Sequence, residues 1–337
     1  MHQCDIAEDV AIAYGYGNLP VHRSHILPLN LLNSFSDKVR NFFSTCGYNE
    51  ALTFLLISSA ENYTNLGKKI PSIPSSSASA TPLESLLQDA LLSVNPCEYQ
   101  LSPLPVRLMN SKTREFEHAR TSLIPGILKS ICANKGLTEL PMKLFEVGDV
   151  CLIDRSTEVG ARNLRYCCAA YADEHSSGLE EIHGVLDGLM KSLNFVAEYT
   201  IAEMESAVAT AVAKGTKAGG GAEETGKKKK EEDESLAAHH LPQTEQLQRT
   251  LERMQGTYKL VPSKEAIFLP GRQVHILASR KPTATDGSEE IPLLIGVFGI
   301  LHPHTLKAFN LHLPVSVLEL NLEAFTKWLP AIDLMGN

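Results

Sequence analysis

Three carboxylates lie near the start of the chain, at Asp5, Glu8 and Asp9. Their residue types and spacing could bind a metal ion. Residues three and four positions apart lie on one face of a helix, and carboxylate oxygens are the ligands that Mg²⁺ prefers. The same spacing also fits a helix cap, in which the Asp5 side chain accepts from the amide of residue 8 and both acids favour the positive helix end. Spacing alone therefore leaves a cap and a metal site open, and the cap suffices locally.

Outside this trio the sequence shows no coherent catalytic constellation. No G-x-S-x-G turn is present, and the single Gly126 after Pro125 in "SLIPGILKS" lacks the density of amide groups that cradles a phosphate. His302 and His304 have no cysteine or acidic partner at zinc spacing. We therefore predict no catalytic and no cofactor-binding residue on this chain.

Composition is typical of a folded cytosolic protein. The chain has 337 residues and a formal net charge of -8, so its surface as a whole repels a phosphate backbone, and any nucleic-acid contact must be local or belong to a partner. The seven cysteines never form C-x-x-C, which indicates reduced thiols rather than a disulfide framework or a zinc site. No stretch approaches the roughly 20 apolar residues that cross a bilayer, so we predict no membrane contact.

The hydrophobic pattern predicts an α+β fold built on a mostly antiparallel sheet. Apolar residues at helical spacing and Gly47 predict a helix over 29–46, followed by a buried strand over 51–57. A further helix begins near 122–125 and ends at Gly136, another lies in "GLEEIHGVLDGLMKSLNF", and a last one lies around "LEAFTKWL". The other predicted strands are 143–153, 165–171, 258–262, 273–280, 291–300 and 315–320.

Two segments interrupt this pattern and are predicted to be insertions. Residues 69–105 are rich in Ser and Pro around one short helical patch. Residues 203–256 contain "AKGTKAGGGAEETGKKKKEEDE", which is too polar to offset the entropy of ordering, although the later "TEQLQRTLERMQG" could form a helix. We interpret the lysine run as part of a solvated linker.

Eight blocks of the sequence, in this order, resemble the β subunit of phenylalanyl-tRNA synthetase of the cytosolic eukaryotic and archaeal type. They include "CDIAEDVAIAYGYGNLP", "GYNEALTFLLIS", "EFEHARTSLIPGILKSICANKG", "LPMKLFEVGDVCLID", "FLPGRQVHIL" and "GVFGILHPHTLKAFNLHLPVSVLELNLEAF". The blocks cover most of the chain outside the two insertions. The resemblance implies a class II aminoacyl-tRNA synthetase-like antiparallel sheet flanked by helices, called a catalytic-like module, over residues 23–330. Residues 1–22 would be the C-terminal remnant of a B5 domain.

The resemblance further implies the C-terminal portion of such a subunit, with editing and other domains upstream. It implies a Mg²⁺ site at Asp5, Glu8 and Asp9, shared with the α subunit and with one more aspartate before Met1. Arg120 and Arg272 lie in matching blocks, and we interpret both as structural, paired with buried acids such as Glu146 or with the α subunit.

The function that the resemblance implies is that of a non-catalytic β subunit. It would support ATP-dependent attachment of phenylalanine to tRNA(Phe) by the α subunit, with ATP on that subunit, in a cytoplasmic (αβ)₂ heterotetramer. The sequence agrees, because it contains no R-x-E and no arginine after Arg280, whereas a class II active site uses both to hold ATP. The alternatives are a truncated paralogue that serves as a protein-interaction module and an independent Mg²⁺-dependent enzyme.

The predicted helix 29–46 and strand 51–57 resemble the helix and strand that form subunit interfaces in class II synthetases. The alternative is that the apolar residues of the helix, Phe35, Val39, Phe42 and Phe43, simply cover the sheet of their own domain. A second apolar stripe on the helix would favour an interface.

Overall fold

The described part of the chain comprises residues 2–20, 30–70, 94–101, 103–201, 204, 206, 253–281 and 291–328 of a computed structural model. Residues 71–93 and 102 of the first predicted insertion, and nearly all of the second with its predicted helix, lie outside the described residues. The chain divides into two compact units, Met1–Leu31 and Leu32–Asn337. The predicted boundary between a B5 remnant and the core, at residues 22 and 23, stays a prediction.

In the described residues of the first unit, helix α1 (Gln3–Tyr14) is followed by a 3₁₀ turn (Tyr16–Asn18). The His2 ring accepts from the Cys4 amide, and the Asp5 carboxylate accepts from the His2 amide at 2.7 Å. The predicted cap made by Asp5 and Glu8 is therefore wrong, because His2 caps the helix and Asp5 is its reciprocal partner. No residue of this helix is buried.

The described strands of the second unit are β1 (Asn49–Glu50), β2 (Leu56–Ile57), β3 (His118–Ala119), β4 (Met142–Ile153), β5 (Ala161–Ala172), β6 (Phe195–Ala197), β7 (Gly256–Pro262), β8 (Phe268–Arg280), β9 (Leu293–Leu301) and β10 (Val315–Asn321). Eight of them form one sheet in the order β1-β4-β5-β10-β9-β8-β7-β6. Its two outer pairs, β1 with β4 and β6 with β7, are parallel, and all the inner pairs are antiparallel. A small antiparallel sheet pairs β2 with β3. The predicted α+β fold with a mostly antiparallel sheet is confirmed.

The helices of this unit cover both faces of the large sheet. The first face packs against α2 (Leu31–Thr45) and α5 (Leu179–Ser192), and the second packs against α4 (Ile124–Asn134). Two short helices also lie in the described residues, α3 (Ser59–Asn62) and α6 (Pro303–Ala308). No helix among the described ranges is both long enough and apolar enough to cross a membrane.

Helix α2 uses its apolar stripe within its own domain. Phe35, Val39 and Phe43 are fully buried, and the Phe43 ring stacks on Phe145 of β4 with centroids 5.1 Å apart. Gly47 ends this region at a φ of 80°, a left-handed conformation that glycine adopts without strain. Of the two interpretations of this helix, packing on its own sheet is the one that the structure bears out.

Two sequence predictions of local structure are wrong. The predicted strand 51–57 exists only at its end, as β2, and the two-residue β1 comes before it. The predicted last helix around "LEAFTKWL" is a 3₁₀ helix, Leu322–Lys327.

The seven cysteines are free thiols, as predicted, with three of them buried.

The hairpin between β4 and β5 is fixed by the buried Asp154. Burial acts to raise the pKa of this carboxyl, but hydrogen bonds from Ser156, the Arg162 side chain and the Val94 amide outweigh burial and lower the pKa to about 2. The folded state therefore stabilises the ionised form of the Asp154 carboxyl.

We expect Asp154→Asn to lower the free energy of unfolding by about 1–2 kcal/mol at neutral pH. The pKa of Asp154 in the folded state lies below the ordinary value of 3.8. The extra free energy of unfolding of the wild type is therefore fully present above pH 3.8 and is lost as the pH falls towards 2. Urea unfolding of both proteins between pH 2 and 7 measures this difference. A difference that stays constant over the whole range would contradict the assignment.

Candidate partner interface

The segment between β1 and β2, residues 51–55, exposes large apolar side chains. Leu52 is 87% exposed, Phe54 is 74% exposed and Leu55 is 47% exposed. Single exposed apolar residues are ordinary, but several in one short segment mark a surface that binds another protein or chain segment. We call residues 51–55 the apolar segment.

The apolar segment leaves the sheet because arginine side chains occupy the edge of β4 beyond β1. The Ala51 amide still donates to the Phe145 carbonyl at 2.7 Å. Further along β4, the Arg40 guanidinium donates to the Val147 carbonyl at 3.1 Å, and Arg120 Nε donates to the Asp149 carbonyl at 2.9 Å. Since those carbonyls are already bonded, the strand ladder does not continue through residues 51–55.

A buried ion pair anchors the inner side of the apolar segment. Arg120 Nη1 lies 2.7 Å from Glu146 Oε1, and these two side chains are only 6% and 2% exposed. Thr53, between Leu52 and Phe54, donates its hydroxyl to Glu146 at 2.7 Å and accepts from Arg120 at 2.9 Å. The segment alternates as a strand does, with Thr53 bonded in the interior and its two neighbours outside. The predicted pairing of Arg120 with Glu146 is confirmed.

The N-terminal turn of α4 closes over Thr53, and glycine is required there. An added Cβ on Gly126 would lie 2.1 Å from Thr53 Oγ1 and 2.7 Å from Thr53 Cβ. Such contacts cannot be accommodated without moving the helix or the apolar segment. The glycine that resembled a weak phosphate loop in the sequence is therefore a packing residue.

We expect Gly126→Ala to lower the free energy of unfolding by about 1–3 kcal/mol, because overpacking forces backbone shifts. The matched control is Gly184→Ala on α5, where an added Cβ meets no atom within 4 Å. That control should be neutral or stabilising by up to about 1 kcal/mol, the usual gain in helix propensity. Urea unfolding measures both variants, and equal effects would show that Thr53 is not held tightly.

A neighbouring loop extends the exposed apolar surface. The Phe54 ring contacts Phe116 edge-on, with centroids 5.9 Å apart. Phe116 belongs to a loop that folds back on itself, since the Leu108 amide donates to the Glu117 carbonyl at 2.8 Å, and Met109 near its tip is 97% exposed. The exposed cationic residues of this loop are Arg107, Lys112 and Arg114. The arrangement fits binding of a protein surface and contains no nucleophile with an adjacent base.

The predicted metal ligands do not form a cluster by themselves. Asp5, Glu8 and Asp9 are all exposed on α1, and the Asp5 carboxylate is bonded to the His2 amide. Within the described residues, no group of three or more His, Cys, Asp or Glu side chains is arranged to hold a metal ion. The Mg²⁺ site that the resemblance implies takes further ligands from the α subunit, so it stays a prediction.

The structural role predicted for Arg272 stays a prediction, whereas His302 has a structural position. Arg272 is exposed beside Gly271, which has a φ of 74° at an irregularity in β8. The His302 ring caps α6 by accepting from the His304 amide at 3.1 Å. Neither histidine contributes to a catalytic arrangement.

Sequence reasoning missed a buried acid at the centre of the second sheet face. Glu319 of β10 is fully buried and accepts from Tyr99 Oη at 2.5 Å, from Ser122 Oγ at 2.9 Å and from the Leu123 amide at 2.6 Å. Burial raises the pKa of the Glu319 carboxyl, and these hydrogen bonds with the charge of Lys68 oppose the increase. A single acid inside the apolar run "VSVLELN" was the only local signal.

Comparison with known proteins decides the family. The family model described as phenylalanyl tRNA synthetase beta chain CLM domain matches residues 17–218 and 220–322. The chain belongs to this family. The resemblance seen in the sequence blocks is thereby confirmed.

Named relatives agree with membership of the phenylalanyl-tRNA synthetase β-chain family. Phenylalanine–tRNA ligase beta subunits of Drosophila melanogaster and Homo sapiens are each 30% identical to this chain over 328 residues, which is 96% of this chain and 39% of each relative. A relative from Arabidopsis thaliana, named as the cytoplasmic beta subunit, is 30% identical over 325 residues with the same coverage. The chain thus spans about two fifths of the length of the curated relatives it matches.

Proposed function

We propose that this chain is the non-catalytic part of a phenylalanine–tRNA ligase β subunit, which supports ATP-dependent attachment of phenylalanine to tRNA(Phe) by an α subunit. The observation that carries the proposal is the apolar segment, in which Leu52 and Phe54 face outwards while Thr53 is bonded to a buried ion pair. A rigidly supported apolar surface binds a partner at a lower entropic cost than a loose loop. We identify that partner as the α subunit, within an (αβ)₂ assembly in the cytosol.

Arg120, the arginine that is bonded to the apolar segment, cannot bind ATP. A class II synthetase needs a free guanidinium to hold the α-phosphate, but Arg120 donates to Glu146, to Thr53 and to the Asp149 carbonyl. The second face of the sheet carries the buried Glu319 carboxylate, which would repel a phosphate when ionised. We therefore place ATP and adenylate chemistry on the α subunit, and we propose for this chain a class II synthetase-like fold without the active site.

We further propose that Asp5, Glu8 and Asp9 bind Mg²⁺ only when oxygen donors from the α subunit complete the site. Contact with tRNA(Phe) is proposed for the complex as a whole, since the net charge of this chain is -8. Thermal unfolding of the α-bound chain with and without Mg²⁺ tests the metal proposal. An Mg²⁺-dependent stabilisation that Asp9→Asn leaves unchanged would contradict it.

Co-expression with the α subunit of the same organism tests the functional proposal. The double variant Leu52→Asp/Phe54→Asp should weaken α-subunit binding at least about tenfold, because charges would enter an apolar interface. The control is Leu137→Asp, since Leu137 is 82% exposed in a different loop. Both variants should unfold at the same temperature as the wild type.

The outcomes of this experiment separate the candidate functions. A wild-type chain that forms no complex with the α subunit overturns the proposal. A complex that forms but adds nothing to aminoacylation favours the truncated protein-interaction module instead. Equal loss of binding in the double variant and in Leu137→Asp would show that the apolar segment is not the interface.

A further inference from the structure

The second sheet face is crossed by a strap, residues 94–101, which has no regular helix or strand. Side chains and backbone groups of the domain hold this strap at several points. The Tyr99 amide donates to the Leu294 carbonyl at 2.7 Å, and Asn321 Nδ2 donates to the carbonyls of Pro96 and Glu98 at 2.9 Å and 3.1 Å. The strap is therefore bound to the surface of the sheet and is not one of its strands.

The side chain of Tyr99 is the part of the strap that enters the domain. Its ring stacks on Tyr166 of β5 with centroids 5.3 Å apart, and its hydroxyl donates to Glu319. Ring contacts of this kind orient an aromatic group as well as bury it. The site around the Tyr99 ring thus combines an aromatic wall with a hydrogen-bond acceptor at the end.

The acceptor is held in place without help from Tyr99. Glu319 also accepts from the Ser122 hydroxyl and from the Leu123 amide, and the two donors belong to the segment that leads into α4. Because neither donor belongs to the strap, we expect both bonds to keep the carboxylate directed into the site when Tyr99 is removed. A preorganised acceptor of this kind favours a ligand that carries a hydroxyl at the matching position.

The strap does not fill the concave site completely. A cavity of about 10 Å³ remains beside Tyr99, and its lining includes Lys68, Glu265 and Phe268. This volume is about what a single buried water needs. The cavity lies beside the Tyr99 ring, and its lining does not include Tyr166 or Glu319.

We infer that the second sheet face holds a preformed pocket for a hydroxylated aromatic ring, which the chain closes with its own Tyr99. The ligand class is a small phenol, bound by stacking on Tyr166 and by donation to Glu319. Tyr99 acts as an internal ligand of this pocket, which is separate from the apolar segment and does not depend on an α subunit.

Chemical rescue of Tyr99→Ala in the full chain tests this inference. The probes are p-cresol, which reproduces the tyrosine side chain, and toluene, which lacks the hydroxyl. Titration calorimetry should show p-cresol binding to the variant at least about tenfold more tightly than toluene, as expected for a hydrogen bond to a carboxylate. Thermal unfolding should show stabilisation of the variant, and no effect on the wild type, in which Tyr99 fills the pocket.

The matched control is Phe145→Ala on the opposite sheet face, where the removed ring is also fully buried but stacks on Phe43. That cavity should show no preference for p-cresol over toluene. Lack of p-cresol binding to folded Tyr99→Ala, or an equal preference in both variants, would overturn the inference.

If Tyr99→Ala does not fold alone, refolding in the presence of p-cresol or of toluene tests whether the pocket prefers a phenol. Recovery of native circular dichroism in p-cresol only would support the pocket. Failure of both probes, while Tyr99→Phe folds normally, would overturn it. Neither result bears on binding of the α subunit by the wild type, so this inference and the proposed function fail independently.

Discussion

Replacing Arg120 with methionine is expected to lower the free energy of unfolding by about 3–5 kcal/mol. The substitution leaves the Glu146 carboxylate, which is 2% exposed, buried without its cation. It also removes the bonds from Arg120 to Thr53 and to the Asp149 carbonyl. Chemical denaturation followed by circular dichroism measures the loss.

Two further variants make this prediction specific. Lys129→Met removes a pair with Glu61 at 2.9 Å in which the lysine is 43% exposed, and it should cost at most about 1 kcal/mol. Arg120→Met/Glu146→Leu should recover much of the stability lost by the single variant, because no charge is then left unpaired in the interior. A loss below about 1 kcal/mol for Arg120→Met would mean that solvent reaches the pair.

A milder substitution, Arg120→Lys, should affect the apolar segment before it affects the rest of the fold. Thr53 loses the guanidinium that it shares with Glu146, so local opening of residues 51–55 becomes easier. Arg120→Lys keeps the positive charge but removes most of the hydrogen-bond donors of the guanidinium. Amide hydrogen exchange in this variant separates local opening of residues 51–55 from global unfolding. Unchanged exchange near Ala51 would contradict the support that we assign to the ion pair.

The long strands could be predicted from the sequence because their signal is local. β4 was predicted over 143–153 and spans Met142–Ile153, and β10 was predicted over 315–320 and spans Val315–Asn321. Both segments contain several apolar residues, valine among them, and each begins after a turn. Their pairing order, with β10 between β5 and β9, has no local signal.

The apolar segment shows where the local signal fails. Its composition is that of a buried strand, yet arginine side chains from distant parts of the chain occupy the sheet edge that it would have joined. The helix cap failed for a related reason, since His2 caps α1 where the more typical residue, Asp5, was expected. In both cases the deciding group is a side chain whose role depends on a neighbour that periodicity does not reveal.

Glu319 is the extreme case, because its partners lie 196 to 220 positions away in the sequence. No spacing rule connects Tyr99, Ser122 and Leu123 to an acid in the last strand. Arg120 and Glu146 are 26 positions apart, and the sequence predicts their pairing only as one of several possible partners for Arg120. Buried polar networks are thus the part of this domain that needs the structure.

Replacing Glu319 with leucine is expected to lower the free energy of unfolding by at least about 3 kcal/mol, the second large effect that the fold predicts. Leucine leaves the Tyr99 hydroxyl, the Ser122 hydroxyl and the Leu123 amide without their acceptor, and each unpaired buried donor costs about 1–3 kcal/mol. Glu319→Gln keeps one acceptor oxygen, so it should cost only about 1 kcal/mol. Denaturation at neutral pH measures both variants.

The difference between the two variants is the informative quantity. If unpaired donors dominate, leucine is much worse than glutamine, and adding Tyr99→Phe to Glu319→Leu restores part of the loss by removing one unpaired hydroxyl. If the desolvated charge of Glu319 instead makes the site unfavourable, leucine equals or exceeds the wild type in stability, as replacing buried charges with apolar groups can do. Four donor contacts from three residues meet this carboxylate, so we expect the first result.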